Sequence, residues 1–409
     1  MLDENFRILD ERITGYREDM IALISKMIEI KAISPISGGM GESERASMLE
    51  DTLKQWGFRP ERYDYSDETG SRRSNLVVKI GSEERTLWIV AHIDTVSEGN
   101  LSLWKSDPFK AKIEGDRIYG RGTQDNGQGV ISGMFALKAL KDTGTKLRFN
   151  MGLALVADEE LGSRYGIQKL IEEGIFRKDD LVLVPDWGSA KGDKIEIAEK
   201  GMLWLKISVL GKQTHASTPE KGVNAYMQSI RFLNRVDKML HEKYNASNAI
   251  FDPPVSTFEM TKHEKNIDSI NIIPSLEVSY LDCRILPEYD ISLVIKDIRE
   301  VAAMGEFSDV EIKIEEFNRE DATPQTEEGS EVVQILKYAL KRLRGLDSEV
   351  VGIGGGTCAA FFRKKGIQTA VWSTGESVAH EPNEYVELSN IEDDSKVFAY
   401  IAAAKDVPS

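Results

Sequence analysis

Hydrophobic residues near the start of the chain recur at helical spacing. Apolar side chains between Phe6 and Ile28 are separated mostly by three or four positions, which predicts one amphipathic helix. A loop rich in Pro, Gly and Ser follows at residues 34–41. A second helix is expected at about 44–56, where Gly57 ends it. The chain therefore begins with helices and not with a strand.

Short apolar runs closed by turn residues dominate the next part of the chain. Such runs, at residues 76–80, 87–93, 151–157, 181–184, 350–353 and 369–372, have the length and continuity of strands buried on both faces. Helical stretches lie between several of them, notably at 129–141 and 166–172. Buried strands that alternate with helices predict an α/β fold with a mostly parallel sheet flanked by helices.

The pattern changes from about residue 199. Residues 202–209 and 276–283 partly alternate apolar and polar positions, which is typical of a sheet with one exposed face. In the second of these runs Leu276, Val278, Tyr280 and Asp282 share one face. Helices are expected at 224–244 and 292–304. We therefore predict a smaller α+β domain, residues 199–317, inserted into a larger domain made of residues 1–198 and 318–409.

Charge and composition narrow the class of protein. The 409 residues include 52 Lys plus Arg against 68 Asp plus Glu, a net charge of −16. Because no basic excess is present to neutralise phosphates, no nucleic-acid partner is expected. No run approaches the ~20 apolar residues of a membrane span, and the charged residues 1–17 do not resemble a signal peptide. Two cysteines form no disulfide framework, so the expected location is the cytoplasm without membrane association.

Acidic residues and histidines gather where the predicted strands end. His92 and Asp94 close the run at 87–93, acids 158–160 follow the run at 151–157, and Asp186 follows the run at 181–184. Asp125 lies in a glycine-rich turn before a helix, and His380 follows the last run after a short loop. Ligands bind an open α/β sheet at the carboxyl ends of its strands, so we expect these groups to meet. Imidazoles and carboxylates together suit zinc, manganese or cobalt.

Each of these motifs also has an ordinary structural interpretation. His92 and Asp94 alone could form a hydrogen bond at the end of a turn, and acids 158–160 could be a solvated charge cluster. The turn around Asp125 could hold a phosphate, but its spacing fits neither the P-loop nor the dinucleotide motif. Glu159 and Glu160 are adjacent at a strand end and therefore point in different directions, so one could bind metal while the other moves protons.

In combination, the motifs resemble those of the dinuclear-zinc amidohydrolases and exopeptidases. This family includes acetylornithine deacetylase, succinyl-diaminopimelate desuccinylase, aminoacylase and glutamate carboxypeptidase. The matching segments, in order along the chain, are residues 91–94 (AHID), 120–125 (GRGTQD), 159–160 (EE), 185–186 (PD), 214–217 (THAS) and 380–384 (HEPNE). The resemblance covers essentially the full chain, and six motifs in the right order are far more specific than any one of them.

The resemblance implies a ligand set for two divalent metal ions, most often zinc, with cobalt or manganese as alternatives. The implied ligands are His92 and Asp186 for one ion, Glu160 and His380 for the other, and Asp125 as the bridge between them. Asp94 would orient His92, and Glu159 would be the general base. The peptide bond between Asp125 and Asn126 would be cis.

The resemblance also implies substrate-binding residues in the inserted domain, which would act as a lid and as the contact of a homodimer. His215 would stabilise an oxyanion, and its ordinary alternative is a loop histidine with a local hydrogen bond. Arg284, helped by Asn271, would hold a free substrate carboxylate, since a guanidinium can bind both oxygens. Its ordinary alternative is an arginine paired with an acid on the sheet.

A glycine-rich loop supplies the remaining substrate-binding candidates, Gly355, Gly356 and Thr357. Its main-chain N–H groups could bind an anion at the start of a helix. Relatives often have an acidic or hydroxyl residue where this chain has Cys358, which leaves the substrate preference open. We expect Cys358 to be a small buried packing residue.

These roles imply a hydrolase that cleaves the amide bond of a small N-acyl amino acid, of the deacetylase or desuccinylase type. A dipeptidase or carboxypeptidase with the same site is the close alternative, with a short peptide as substrate. A non-catalytic ligand-binding relative is disfavoured because Glu159 and all five ligands are present. A dinuclear phosphoesterase would need more basic residues near the motifs than Arg121 and Arg164.

Overall fold

The computed structural model describes residues 4–404, which form two compact units. The first unit contains residues 4–197, 325–351 and 357–404, and the second contains residues 198–324 and 352–356. The chain thus returns to the first unit at 325 and not at the predicted 318. The reason is that the strand Glu311–Glu320 pairs along its length with Gly201–Leu210 of the second unit.

The described residues form the following helices: α1 (Glu4–Thr14), α2 (Arg17–Glu29), α3 (Ser43–Gln55), α4 (Gly129–Thr143), α5 (Ile167–Glu172), α6 (Ala225–Lys243), α7 (Ile291–Ala302), α8 (Glu331–Arg344), α9 (Ala359–Lys364) and α10 (Leu388–Ala403). The strands are β1 (Glu61–Ser66), β2 (Arg72–Ile80), β3 (Thr86–His92), β4 (Lys112–Glu114), β5 (Arg117–Tyr119), β6 (Asn150–Val156), β7 (Leu181–Ser189), β8 (Lys194–Glu199), β9 (Gly201–Leu210), β10 (Thr214–His215), β11 (Thr257–His263), β12 (Ile272–Ile273), β13 (Leu276–Ile285), β14 (Glu311–Glu320), β15 (Glu349–Ile353), β16 (Gln368–Thr374) and β17 (Tyr385–Glu387). Across these residues, no helix has both the length and the apolar composition that a bilayer crossing requires.

The prediction of a single helix over residues 6–28 is wrong, because the structure has two helices there, α1 and α2. They are separated at Gly15 and Tyr16, whose N–H groups bond to main-chain oxygens of α1. Glycine has the lowest helix propensity after proline, so the break between α1 and α2 falls at a residue of low helix propensity. The apolar periodicity continues across the break because both helices bury their apolar faces in the same core.

The large sheet has the strand order β1-β2-β6-β3-β7-β16-β8-β15. The neighbouring strands β6, β3, β7 and β16 run parallel at its centre, whereas β1 pairs antiparallel with β2, β2 with β6, and β8 with β16. All seven residues of β3 are buried, in agreement with its continuous apolar run. The prediction of a mostly parallel sheet flanked by helices is confirmed.

Strand β3 shows how the sheet separates two cores. Leu87 and Ile89 lie in one hydrophobic cluster with residues of α1, α2, α4, α8 and α10. Trp88 and Val90 lie in a second cluster with residues of α5 and α9. Because successive side chains of a strand point to opposite faces, one apolar run serves both cores. Each fully buried side chain of this kind contributes about 1.5–3 kcal/mol, which anchors the strand that delivers His92.

The second unit is built on the antiparallel sheet β11-β13-β9-β14, with α6 and α7 packed on it. Its core face on β13 carries Leu281, Cys283 and Ile285. Tyr280 and Asp282, which share the other face as predicted, are only half-buried. The sequence pattern thus identified the alternation of faces along β13. The face that packs into the core is the one with Leu281, Cys283 and Ile285.

Candidate metal centre

Three adjacent parallel strands deliver several of the predicted site residues to one edge of the large sheet. Strand β3 ends at His92, which lies opposite Val156 at the end of β6. The acids 158–160 follow β6 directly, and Asp186 lies within β7, on the other side of β3. The parallel arrangement therefore places groups that are far apart in sequence at the carboxyl ends of neighbouring strands, where α/β proteins bind ligands.

His92 contacts two of the predicted carboxylate ligands. Its Nε2 atom lies 2.8 Å from Oδ1 of Asp125 and 3.3 Å from Oδ1 of Asp186. The imidazole is almost completely buried. Although burial opposes its protonation, the negative charge of Asp186 and the contact with Asp125 raise the pKa of His92 well above its usual value.

His380 approaches the other oxygen of the same aspartate. Its Nε2 atom lies 3.1 Å from Oδ2 of Asp125 and 3.1 Å from Oε2 of Glu160. These hydrogen bonds raise the pKa of His380 to about 10. The two oxygens of Asp125 are therefore divided between two histidines, which is the arrangement of a carboxylate that bridges two cations.

Asp94 supports this centre in a way that its predicted role did not include. Its carboxylate accepts the main-chain N–H groups of Glu159 at 3.1 Å and Glu160 at 3.2 Å. The contact with His92 is made mainly by the main chain, since Nδ1 lies 3.1 Å from the carbonyl oxygen of Asp94 and 3.6 Å from its Oδ1. The side chain of Asp94 thus binds the main chain of the acidic segment 159–160 and also lies beside His92.

The segment around Asp125 has an unusual backbone. The peptide bond between Asp125 and Asn126 is cis, as the resemblance implies. Asn126 directs its Nδ2 atom to Oδ1 of Asp186 at 2.5 Å. A Cβ atom at position 129 would lie 2.0 Å from Oδ1 of Asn126, so the close approach of this amide requires Gly129.

A buried ion-pair network lies beneath the acidic segment. Arg73 donates from Nη1 to Asp158 at 2.8 Å and from Nη2 to Glu42 at 2.9 Å, and all three side chains are buried. Asp158 has a positive φ of 65° and directly precedes Glu159. Arg73 was not predicted to have a role, because it lies in the polar start of β2 (RRSN) and before the apolar run at 76–80.

The charge balance of the centre favours bound cations. Five carboxylates (Asp94, Asp125, Glu159, Glu160 and Asp186) lie around two imidazoles. Burial, followed by the charge of Asp125, raises the pKa of Glu160 to about 7. Burial and the charge of Asp186 raise the pKa of Glu159 well above its usual value. Buried acids with so little compensating charge are in the situation that bound metal ions relieve.

The donor atoms also fit two metal ions in geometry and chemistry. One candidate group contains His92, Glu159 and Asp186, and a second contains His92, Asp125 and Glu160; within each, the donor atoms all lie within 4.8 Å of one another. Nitrogen and oxygen donors of this kind suit zinc, manganese or cobalt. The side chains therefore support two metal ions without selecting the element.

The predicted oxyanion residue makes local contacts in the second unit. His215 belongs to β10, which pairs with β12, and the N–H of Ala216 donates to the carbonyl oxygen of Asn271 at 2.9 Å. The Nδ1 atom of His215 lies 2.7 Å from Oγ of Ser217. Its imidazole is exposed, and among the described residues its Nε2 atom has no hydrogen-bond partner.

The predicted carboxylate-binding arginine is paired on the sheet of the same unit. Arg284 donates from Nε and Nη2 to Asp282 at 2.8 and 3.1 Å, and from Nη1 to the carbonyl oxygen of Gly354 at 3.0 Å. Asp282 in turn accepts a hydrogen bond from Trp204. The guanidinium thus already faces one carboxylate, which is the alternative that the sequence left open.

The glycine-rich loop is divided between the two units. Gly355 and Gly356 belong to the second unit, and Thr357 begins a segment of the first. The Oγ1 atom of Thr357 accepts the N–H of Ala359 at the start of α9. Cys358 is 1% exposed, within the core that contains α9, so it packs as expected.

Comparisons with known proteins point to the same chemistry. The family model described as peptidase family M20/M25/M40 matches residues 88–404. An uncharacterized metallohydrolase of Methanocaldococcus jannaschii is 38% identical over 401 residues, which cover 93% of this chain and 98% of that relative. A succinyl-diaminopimelate desuccinylase of Rickettsia massiliae is 25% identical over 383 residues, which cover 91% of this chain and 96% of that enzyme.

A solved structure supports the fold. An M20 family metallo-carboxypeptidase from Sulfolobus solfataricus superposes with a TM-score of 0.75 at 21% identity, covering 93% of this chain and 98% of that one. The resemblance seen in the motifs is therefore confirmed along nearly the whole chain.

Proposed function

The chain belongs to peptidase family M20/M25/M40 and is a metallohydrolase, and we propose that it cleaves the amide bond of a small N-acyl amino acid. The observation that carries this proposal is the division of the Asp125 oxygens between His92 and His380, at 2.8 and 3.1 Å. The similarity to a desuccinylase supports a deacylase of the deacetylase or desuccinylase type.

The proposed ligands are His92 and Asp186 for one ion, Glu160 and His380 for the other, and Asp125 for both. The contacts among their side chains support this division. We propose zinc as the bound metal, with cobalt or manganese as alternatives, because the donors are nitrogen and oxygen. Two such ions would lower the pKa of a shared water from ~15.7 toward ~7 and polarise the substrate carbonyl.

Glu159 is the proposed general base. Its carboxylate lies near His92 and Asp186, and its main-chain N–H is held by Asp94. Glu159 accepts the proton of the attacking water on a carboxylate oxygen and then donates that proton to the leaving amine nitrogen. Burial and the charge of Asp186 raise the pKa of Glu159, which makes its carboxylate a stronger base toward the attacking water.

Substrate recognition is proposed for residues of the second unit and the glycine-rich loop. His215 would donate a hydrogen bond to the oxyanion, and its exposed Nε2 supports that role. Arg284, together with Asn271, would bind the substrate carboxylate. The remaining proposed contacts are Gly355, Gly356 and Thr357. Because Arg284 is bound to Asp282, a substrate carboxylate would have to share or displace that pairing.

A dipeptidase or carboxypeptidase is the second candidate function. A carboxypeptidase of the same family shares the fold, and a peptide substrate would present an amide bond near a free carboxylate in the same way. The same site residues would carry out this reaction, so the two functions differ in the group on the acyl side of the amide. A short peptide is therefore the alternative substrate.

We propose a homodimer formed through the second unit, in the cytoplasm. Tyr226, Met227 and Ile230 are neighbours on α6 and are 46%, 43% and 44% exposed. An exposed apolar helix face of this kind is typical of an interaction surface. The oligomeric state of Ile230→Asp, with the exposed Leu293→Asp on α7 as control, tests the dimer.

The proposed location in the cytoplasm is supported by the cysteines. Both of them, Cys283 and Cys358, are buried and unpaired, which agrees with a reducing compartment.

The most direct experiment is a hydrolysis screen of the full chain loaded with zinc, cobalt or manganese. N-acetyl and N-succinyl amino acids form one panel, and dipeptides and tripeptides form the other. Turnover confined to the first panel supports the deacylase, and turnover confined to the second supports the peptidase. Absence of turnover on both panels, in protein that binds two metal ions per chain, would contradict both proposals.

A further inference from the structure

Another buried carboxylate, that of Glu384, binds the main chain beside the proposed metal ligands. It is 0% exposed and lies four positions after His380. Its Oε1 atom accepts the main-chain N–H groups of Gln124 at 2.9 Å and Asp125 at 3.0 Å. Glu384 therefore bonds directly to the backbone of the residue proposed to bridge the two ions.

The other oxygen of Glu384 is equally engaged. Its Oε2 atom accepts the N–H of Gly122 at 2.9 Å and Nη1–H of Arg121 at 2.7 Å. One carboxylate thus receives four hydrogen bonds from the segment 121–125, which is the full capacity of an ionised carboxylate. The main-chain oxygen of Glu384 also accepts the N–H of Gly120 at 3.0 Å.

Arg121 connects the same group to the histidine ligand. While Nη1 is bound to Glu384, Nη2 donates to the carbonyl oxygen of His380 at 3.3 Å. The guanidinium is buried and lies 5.3 Å from the ring of Trp104. The side chains of Glu384 and Arg121 therefore hold the segments 120–125 and 380–384 together through hydrogen bonds.

A neighbouring residue fixes the other side of the histidine loop. Asn383 accepts the N–H of Lys105 at 2.7 Å and donates to the carbonyl oxygen of Leu103 at 2.9 Å. His380 and Asn383 both have positive φ angles, 63° and 64°. This conformation costs free energy for a non-glycine residue, and contacts such as these offset that cost in the loop that carries His380.

We propose that Glu384 is a positioning residue of the metal centre, which sets the distance between Asp125 and His380 by binding its own segment, 380–384, to the segment that carries Asp125. The proposal rests on the ligand set given above. Groups that bind metal ligands from behind normally fix the geometry of the site, and their loss weakens metal binding about 10- to 100-fold. Glu384 differs from a merely structural buried ion pair because three of its four partners are N–H groups next to or within a ligand-bearing turn.

The test is Glu384→Gln in the full chain, with Co²⁺ alone as the probe. An amide replaces one accepting oxygen by a donor, so the two hydrogen bonds that this oxygen accepts are lost without a change in size. We expect Co²⁺ affinity at the weaker site to fall at least tenfold, the visible absorption of the bound ion to change, and the stoichiometry to fall from two toward one.

Asp180→Asn is the matched control. Asp180 is also a buried carboxylate of the first unit, and it accepts hydrogen bonds from the N–H groups of Thr86 and Arg177 and from Trp88. It lies where β3 and β7 begin, at the opposite ends of these strands from His92 and Asp186. This variant should lose stability and keep the Co²⁺ affinity and spectrum of the wild type.

Two results would overturn the proposal. One is a Glu384→Gln protein with reduced stability but unchanged Co²⁺ affinity and spectrum, which is the behaviour of a structural ion pair. If that variant fails to fold, Arg121→Lys decides: it keeps a positive charge near Glu384 but loses the fork that reaches His380, and unchanged Co²⁺ binding contradicts the proposal. Neither readout depends on a substrate, so a failure of the proposed hydrolase function would be seen separately in the substrate screen.

Discussion

The carboxylate of Asp94 accepts the main-chain N–H of Glu159 at 3.1 Å. The same carboxylate holds the N–H of Glu160 at 3.2 Å, so one buried acid supports both members of the acidic pair. The same carboxylate therefore binds the main-chain N–H groups of the proposed base and of the proposed ligand. Their side chains belong to different candidate metal-binding groups. This arrangement explains how adjacent residues can perform different functions, and it determines the first prediction.

Replacing Glu159 by Gln should abolish turnover while metal binding is retained. The amide cannot accept the proton of water, so kcat should fall about 10²- to 10⁴-fold. Metal analysis should still find two ions per chain. Glu160→Gln is the control with the opposite pattern, because loss of a ligand should lower the metal content. Substantial activity of Glu159→Gln would refute the base assignment, and a loss of one ion would make Glu159 a ligand.

Replacing His215 by Ala should lower kcat with the metal content unchanged. Loss of one hydrogen-bond donor to an oxyanion typically costs about 10²- to 10³-fold in kcat. His241→Ala is the matched control, since His241 is an exposed histidine of the same unit that packs near Phe258. Equal kinetics of the two variants would show that His215 only makes its local contacts with Ser217.

Replacing Arg284 by Ala should remove discrimination for a free substrate carboxylate. A charged hydrogen bond is worth about 1.5–3 kcal/mol, which corresponds to roughly a 10- to 100-fold loss in kcat/KM. The wild type should reject a carboxyl-amidated substrate, whereas Arg284→Ala should treat the two compounds alike. Arg284→Lys should recover part of the loss, since it restores charge without the planar fork.

The control for Arg284 is Arg319→Ala, which removes an arginine of the same sheet that pairs with Asp321. This variant should keep the wild-type preference for the free carboxylate. If the wild type itself cleaves the amidated compound as fast as the free acid, the carboxylate-binding role of Arg284 is wrong. The preference for N-acyl amino acids over other amides would then lose its structural basis.

Replacing Arg73 by Met should strongly destabilise the chain. Arg73 is buried between Glu42 and Asp158, and its removal leaves two buried acids without their cation. Breaking one partner of a buried ion pair costs about 3–5 kcal/mol in the free energy of unfolding. Urea unfolding of Arg73→Met should show this loss, and Arg72→Met, at a side chain that is 66% exposed, should stay within about 0.5 kcal/mol of the wild type.

Asp394 should make stability fall with rising pH. It is buried, its Oδ2 accepts hydrogen bonds from Gln128 and Thr374, and its Oδ1 has no partner among the described residues. Burial raises the pKa of Asp394 to about 7, above the value of about 3.9 in an unfolded chain. The folded state thus retains a proton that the unfolded state has lost, and the free energy of unfolding decreases between about pH 4 and pH 7.

Asp394→Asn should remove that dependence, because the amide resembles the protonated acid at every pH. The difference in unfolding free energy between variant and wild type should then increase in favour of the variant across the same window, by up to roughly 1.4 kcal/mol per pH unit. Urea titrations at pH 4.5, 6 and 7.5 measure it. A difference that is constant with pH would show that Asp394 is ionised in the folded protein.

The sequence alone identified the elements and most of the residues that meet at the centre. Continuous apolar runs marked the buried strands, because a strand covered on both faces has no polar side to interrupt the pattern. The chemistry was visible for a related reason, since charged residues directly after such runs must lie at the end of a strand. The hydrophobic pattern therefore sufficed to assign His92, Asp186 and the acids 158–160 to one edge of a sheet.

Only the tertiary structure decided how these groups act on one another. The contact of Asp125 with His380, and the binding of Glu384 to the turn of Asp125, join segments about 260 positions apart. Periodicity reports only which side of its own element a residue occupies, so it carries no information about such pairs. For the same reason periodicity did not predict the break at Gly15 or the buried face of β13. One helix or two, and either face of the strand, are locally acceptable, and packing against distant segments selects between them.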